Sequence, residues 1–501
     1  MQFVEHSLIK PKSIESRIYQ ENILRTAKRK NTLCVLGTGL GKTTIAVLLS
    51  ANRIEKFPDS KILIMAPTRP LCAQHQKYFK DCLNIPEEEI ILLTGKISPS
   101  KRIELYKEAK IISATPQTIS NDIRNDILNL SDFSLLVVDE THRAVKRYPY
   151  PFVAKVFKKQ SRYPLILGLT ASPGGSREKI ESIRKNLFIE AVEIRTEDEK
   201  DVKPYVKELK TEWIKVDLPE NLKNAQTHLK NALKKRFEKL KNYNIHIRTK
   251  KDLLSVQKRV SRQISTERKP ILFYLISLIV GAVKIWHFLE LLETQSVKAA
   301  KLYLDKVEQK KTKSDRSILQ DVDFKKAIEL IENEKHPKIE KLEEIIKKEL
   351  ENNEKVKIII FSHFRNNIYN IHDILKSICS PVVLIGQAGE RGLSQKEQIG
   401  IIRDFNDGMY NCLITSPIGE EGLHIPSADL AIFYDSVPSE IRTIQRRGRV
   451  GRTKVGKIIF LLTRKTRDEG YYWTAYRKEK QMRTILREMQ KKGKTIEDFI
   501  N

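Results

Sequence analysis

Cysteine is scarce in this chain of 501 residues, and its spacing excludes more than its number does. The five cysteines, Cys34, Cys72, Cys82, Cys379 and Cys412, form no CxxC pair, so neither a structural zinc site nor a disulfide framework is expected and a reducing cytoplasm suits them. Cys34 and Cys412 fall inside apolar runs that read as buried strands. Long apolar runs are missing as well. The longest, Ile271 to Val283, falls short of the ~20 residues that span a bilayer and reads as a buried helix. The opening MQFVEHSLIKPKS lacks the apolar core of a secretory signal, so no membrane partner is expected. Acidic residues are outnumbered: 92 Lys and Arg against 63 Asp and Glu leave a formal charge of +29, a field that draws polyanions. Nucleic acid is the favoured partner. At ~100–200 residues per domain, the length accommodates roughly three domains.

Short apolar, β-branched runs recur between helical stretches in two separate blocks. The first block holds LCVL (33–36), ILIMA (62–66), IISAT (111–115), LLVVD (135–139) and LILGLT (165–170). The second holds VKIIIFS (356–362), VVLIG (382–386), CLITS (412–416), LAIFYD (430–435) and KIIFLLT (457–463). Continuous apolarity with helices between indicates parallel strands covered on both faces, so each block is expected to be a doubly wound α/β domain, one at 1–205 and one at 335–501. The intervening 206–334 has proline only at 219 and 270 from Lys215 onward and almost no glycine, which predicts a helical insertion. Its Lys and Arg face solvent or track a sugar-phosphate backbone, and KKTKSDRS (310–317) is expected to be an exposed turn between helices.

Three motifs carry chemistry. LGTGLGKT (36–43) has the glycines that let backbone amides close around phosphates at a helix start, although Leu36 stands where the strict loop has glycine. Lys42 would neutralise the β- and γ-phosphates and Thr43 would ligate magnesium. In VVDETH (137–142), Asp139 ends a buried strand, where a carboxylate suits a cation, and Glu140 is the candidate base for the attacking water. QRRGRVGR (445–452) places Arg449 and Arg452 on one helix face, able to reach a γ-phosphate, with Gln445 helping to place the water. A lone RRGRVGR would read as an RNA-binding cluster. Together with the other two motifs it reads as the second half of one NTP site closed between two lobes.

These motifs, with RIYQ (17–20), APTRPLCAQH (66–75), LLTG (92–95), ATPQT (114–118), DETHRAV (139–145), GLTASPGG (168–175), GQAGERGLSQKEQ (386–398) and the run from Ser416 to Arg452, resemble superfamily 2 helicases of the DEAH-like type. The resemblance is strongest to the helicase part of archaeal Hef, related to the Fanconi anaemia M translocase. It implies two RecA-like domains, with ATP and Mg2+ as cofactors. It also implies roles: Gln20 reads adenine; Thr38, Gly39, Leu40, Gly41, Lys42 and Thr43 hold the phosphates; His142, Thr170 and Ser172 couple hydrolysis to lobe movement. Thr68, Arg69, Thr94, Gly95 and Thr115 would touch a nucleic-acid backbone from the first lobe, with Ser362 and Thr415 answering from the second. Such contacts carry no base information. The implied partner is forked or branched DNA in replication-fork repair, gripped partly by the thumb-like insertion. Two alternatives are a duplex-RNA translocase of the RNA-sensor and Dicer type, and a fork-binding scaffold clamped by ATP. Thr141 departs from the alanine of DEAH, and His424 from the aspartate that contacts ribose. Many Hef proteins continue into a nuclease. The chain ends at Asn501, and ERK at 267–269 is followed by Phe273 rather than the nuclease aspartate, so any nuclease is expected on a separate polypeptide.

Overall fold

The structure, a computed structural model, describes residues 2–145, 147–205, 209–310, 312–387, 392–416, 428–436 and 456–493. The first lobe alternates α1 (Ile18–Ala27), β1 (Thr32–Leu36), α2 (Lys42–Lys56), β2 (Lys61–Met65), α3 (Arg69–Cys82), β3 (Ile90–Leu93), α4 (Pro99–Glu108), β4 (Ile111–Ala114), α5 (Pro116–Arg124), β5 (Phe133–Val138), α6 (Pro149–Gln160), β6 (Ile166–Thr170), α7 (Arg177–Asn186) and β7 (Ala191–Arg195). All its strands pair in parallel, in the order β3-β4-β2-β5-β6-β1-β7. The apolar runs bury completely because helices cover both faces of the sheet, and two separate cores result, one per face.

The second lobe begins earlier than its apolar runs suggest. Strand β8 (Leu209–Val216) pairs along its whole length with β13 (Gly456–Thr463) at the edge of the second sheet. Along the chain, the helical insertion therefore follows the first strand of the second sheet. As an edge strand, β8 is covered incompletely, with Trp213 48% exposed, and mixes Lys210, Glu212 and Lys215 among its apolar residues. That composition hides it from a search for continuous apolar runs. The lobe continues with α14 (Pro337–Asn352), β9 (Ile358–Phe361), α15 (Arg365–Leu375), β10 (Pro381–Leu384), α16 (Gln395–Asn406), β11 (Cys412–Thr415) and β12 (Leu430–Phe433), in the sheet order β10-β11-β9-β12-β13-β8.

The insertion is helical: α8 (Glu220–Lys241), α9 (Lys250–Glu267), α10 (Pro270–Thr294), α11 (Val297–Lys310), α12 (Lys313–Leu319) and α13 (Val322–Leu330). Residues 313–319, expected as part of a turn, form α12 because Thr312 and Asp315 make a reciprocal capping box, and Asp315 is buried. Helix α10 runs well beyond the 13-residue apolar stretch. By length and composition it is apolar enough to cross a membrane, but here it is the bundle's central helix, with Leu275, Ile279, Ala282, Ile285 and Leu289 in the shared core.

The last described helix, α17 (Arg467–Gly493), leaves the second lobe and packs on the first. Met482, Ile485, Leu486 and Met489 enter a first-lobe core, Gln490 Nε2 donates to Glu193 Oε2 at 2.8 Å, and Arg177 pairs with Glu488. One helix thus spans both lobes.

Candidate functional site

Strand order sorts the first lobe's motifs into two groups. β5, β6 and β1 are neighbours, and their carboxyl ends carry Asp139–Glu140, Thr170–Ser172 and the phosphate loop. β3, β4 and β2 are neighbours on the other side, and theirs carry Thr94–Gly95, Thr115 and Thr68–Arg69. Ligands of doubly wound sheets sit at such carboxyl ends.

In the phosphate loop, Gly39 and Gly41 adopt φ of 90° and 78°, conformations that only glycine enters cheaply. A Cβ at Gly41 would also fall 2.2 Å from Gln20 Nε2. Lys42 Nζ donates to the carbonyls of Leu36 and Gly37 at 3.1 and 3.3 Å, so its charge sits inside the loop. Leu36 serves as the last, buried residue of β1, and what it offers here is a main-chain carbonyl. Gln20 is buried, with Nε2 3.3 Å from Leu40 O, and the Tyr19 hydroxyl donates to the same carbonyl at 2.8 Å. Gln20 therefore touches the loop itself. Thr43 lies in the first turn of α2 and is half-buried.

Asp139 is almost buried. Its Oδ2 lies 2.9 Å from His75 Nε2, and its Oδ1 accepts from the Glu140 amide at 2.9 Å. Burial alone would raise its pKa. The His75 hydrogen bond and charge, with Lys42 and the Glu140 amide, outweigh that and hold the carboxyl below its usual range, as a cation ligand requires. Glu140 takes a left-handed backbone (φ 50°, ψ 51°), a strain of order 1–3 kcal/mol for a non-glycine residue, and its carboxylate reaches within 3.2 Å of His142 Nδ1. Thr141 fits without displacement: its hydroxyl donates to Leu169 O at 3.3 Å and its methyl lies over Gly168, where a Cβ would come within 2.8 Å of it. Thr170 Oγ1 accepts from the Ser172 amide at 3.1 Å, and Ser172 Oγ lies 3.0 Å from Met482 Sδ on α17.

Across the sheet, a recess of about 500 Å3 is lined by Arg69, Gly95 and Thr115, with Lys96, Ser98 and Gln117 around them. Thr68 immediately precedes α3 beside it, its buried hydroxyl making no capping hydrogen bond, and Thr94 precedes Gly95. In the second lobe, Ser362 and Thr415 are fully buried. Ser362 Oγ donates to Asp435 Oδ2 at 3.0 Å and Thr415 Oγ1 to Leu384 O at 3.1 Å, so these hydroxyls face protein partners rather than a surface. Gln445, Arg449, Arg452 and the departure at His424 lie outside the described residues.

Three positions were not singled out from the sequence. His75 shares the buried face of α3 with Cys72 and Phe79, and a histidine at core spacing was its only signal. Asp435 collects Ser362 Oγ, the His363 amide and Gln295 Nε2 on one oxygen. Met482 reaches Ser172 from 310 residues away, beyond any local pattern.

A phosphate loop, a held-ionised carboxylate and a separate groove on one parallel sheet, joined to a second parallel sheet by a spanning helix, define the core of a nucleotide-driven motor. Comparison with known proteins agrees. The DEAD/DEAH box helicase family matches residues 17–180, the helicase conserved C-terminal domain 337–454, and a helical-bundle family named for an ATP-dependent RNA helicase 221–337. The crystal structure of the Pyrococcus furiosus Hef helicase domain superimposes with a TM-score of 0.74 at 40% identity, covering 93% of this chain and 99% of that one. A Methanocaldococcus jannaschii protein that carries the name of an ATP-dependent RNA helicase is 43% identical over 97% of the chain. The ATP-dependent DNA helicase mph1 of Aspergillus terreus is 32% identical over 91% of it. The chain belongs to the superfamily 2 helicases, in the group of the Hef helicase domain. Both its matched lobes are those of ATP-hydrolysing helicases. It spans 63% of the Methanocaldococcus relative's length and 45% of the Aspergillus one's.

Proposed function

We propose that this chain is an ATP-driven DNA helicase or translocase that acts on forked or branched DNA during replication-fork repair. The observation that carries the reading is the division of one sheet into a nucleotide half and a groove half, bridged to the second lobe by α17. Relatives named as DNA helicases support the substrate.

Lys42 and the loop amides, freed by the left-handed Gly39 and Gly41, would hold the ATP phosphates, and Thr43 and Asp139, whose carboxyl is held ionised, would hold a magnesium ion. Bound magnesium supplies positive charge to the phosphate oxygens. Glu140, fixed by Asp139 and next to His142, would orient and deprotonate water. Gln445, Arg449 and Arg452 would complete the site from the second lobe. Thr68, Arg69, Thr94, Gly95 and Thr115 would grip a backbone. The segments around Ser362 and Thr415 would answer them from the second lobe. Thr170 and Ser172 would carry the hydrolytic state to α17. A partner nuclease fits the same reading. A DNA motor of archaeal type works in the cytoplasm, where the chromosome lies.

A duplex-RNA motor is the second reading, favoured by the names carried by the Methanocaldococcus relative and the helical-bundle family. ATP turnover measured with forked, duplex and single-stranded DNA and with duplex RNA tests both. Stimulation greatest with forked DNA is expected; stimulation by duplex RNA alone would reverse the choice.

A further inference from the structure

A second recess, of about 510 Å3, adjoins the groove. Gln117 and Asn121 line both recesses. Four residues apart on α5, these two side chains form one ridge. Thr118 faces the groove on one side of it, while Arg124, Tyr148 and Phe152 line the new recess with Arg147 on the other.

The ridge is rigid. Asp122, fully buried on α5, accepts from Arg102 at 2.6 and 2.8 Å and from the Tyr106 hydroxyl at 2.7 Å. The recess beyond it is built for a polyanion with planar groups. Arg124 and Arg147 are both exposed, the Arg124 guanidinium lies 4.8 Å from the Phe152 ring centroid, and among the described residues no carboxylate lines the recess. A helix with its side chains is about 10 Å across, and the grooves of B-DNA are about 6 and 12 Å wide. Backbones lying on either side of α5 are thus spaced like the two strands across one duplex groove. The recess also connects to the nucleotide half of the sheet: Tyr148 packs edge-on against Tyr150 at 5.0 Å, and the Tyr150 hydroxyl donates to the Asp139 carbonyl at 2.8 Å.

We infer that the recess walled by Arg124, Arg147 and Phe152 holds the sugar-phosphate backbone of the second strand of a DNA duplex while the groove holds the first. The inference rests on the DNA-motor reading and deepens it, because it gives the first lobe a contact to each strand of a duplex.

The test is Arg124→Ala/Arg147→Ala, two exposed positions outside the nucleotide site, compared with Arg124→Lys/Arg147→Lys. ATP turnover is titrated with single-stranded DNA and with a fork carrying duplex arms, over a range of salt, beside thermal unfolding of each variant. For the alanine pair, the half-saturating fork concentration is expected to rise roughly tenfold with maximal turnover unchanged, and the fork's salt slope to fall by about one to two. Half-saturation by single-stranded DNA and the unfolding midpoint stay as in the wild type, and the lysine pair recovers most of the loss. A rise that is equal for both DNAs, or no rise for either, overturns the inference while leaving the DNA-motor reading intact. Wild-type turnover indifferent to every DNA overturns that reading, and this inference with it.

Discussion

Gln295 Nε2 donates to Asp435 Oδ2 at 3.0 Å, and the same carboxylate oxygen accepts from Ser362 Oγ at 3.0 Å. The relationship ties the insertion to the second lobe at Ser362, proposed above to lie beside a bound strand. Gln295 sits at the break between α10 and α11, and the Tyr434 hydroxyl donates to its carbonyl at 2.7 Å. The junction continues into α17. Lys338 and Asp468 form a fully buried pair at 2.6 Å, Lys338 Nζ also reaches Tyr434 O at 2.6 Å, and Glu293 on α10 lies 3.4 Å from Arg467. A load on the insertion therefore has a polar route both to Ser362 and to the helix that ends on the first lobe.

Gln295→Ala should uncouple the insertion. Leaving Asp435 short of one buried donor costs about 1–3 kcal/mol, read by denaturant unfolding. Turnover without DNA should persist, while the extra stimulation by forks over single strands falls. Unchanged fork stimulation in a folded variant would make the contact structural only.

Met482→Ala should loosen α17 from the first lobe. Met482 is 2% exposed, and removing a buried methionine side chain costs about 2–5 kcal/mol. Urea unfolding should show the loss. DNA stimulation should drop further than the resting rate, because Met482 is the contact from α17 to Ser172.

Acid should destabilise the fold partly through His336. This side chain caps α14 through Nδ1, and its pKa is pushed down to about 3, first by burial and then by the Lys338 charge. Its folded pKa lies below the unfolded value of about 6.5, so between those values the unfolded chain binds the extra proton and stability falls as pH falls, by up to about 1.4 kcal/mol per pH unit. The depressed Asp139 carboxyl acts in the same direction at lower pH: its contribution is present above its unfolded pKa and lost as pH falls through the folded one. His336→Asn keeps a cap acceptor and removes the titration. Its unfolding free energy should be flatter than the wild type's between pH 4 and 6.5 on this scale, and an unchanged slope would place the protonation elsewhere.

The sequence made the inner strands legible and all but one of the edge strands illegible. β1, β2, β5, β9, β11 and β12 are covered on both faces and so read as unbroken apolar runs; of the four edge strands, β10 still reads as one, whereas β3, β7 and β8 are short or mixed with charge. Both carboxylates after β5 and the glycines of the phosphate loop were readable because strand end, turn and helix start are adjacent in sequence. His75, Asp435 and Gln295 were not, because their roles arise from contacts 64, 73 and 140 residues apart. Ser362 and Thr415 were named by resemblance, and only the structure shows which way their hydroxyls are committed. The crossing of α17 onto the first lobe has no local signature at all.

The most direct measurement is phosphate release with and without forked DNA, made on the wild type and on Glu140→Gln in parallel with fork binding. The account predicts DNA-stimulated release by the wild type, a loss of ~10²–10⁴-fold in the variant, and fork affinity within a few-fold of the wild type's, because the groove at Arg69, Gly95 and Thr115 lies on the other half of the sheet. Wild-type release indifferent to DNA, or a variant that loses fork binding as fully as turnover, would contradict it.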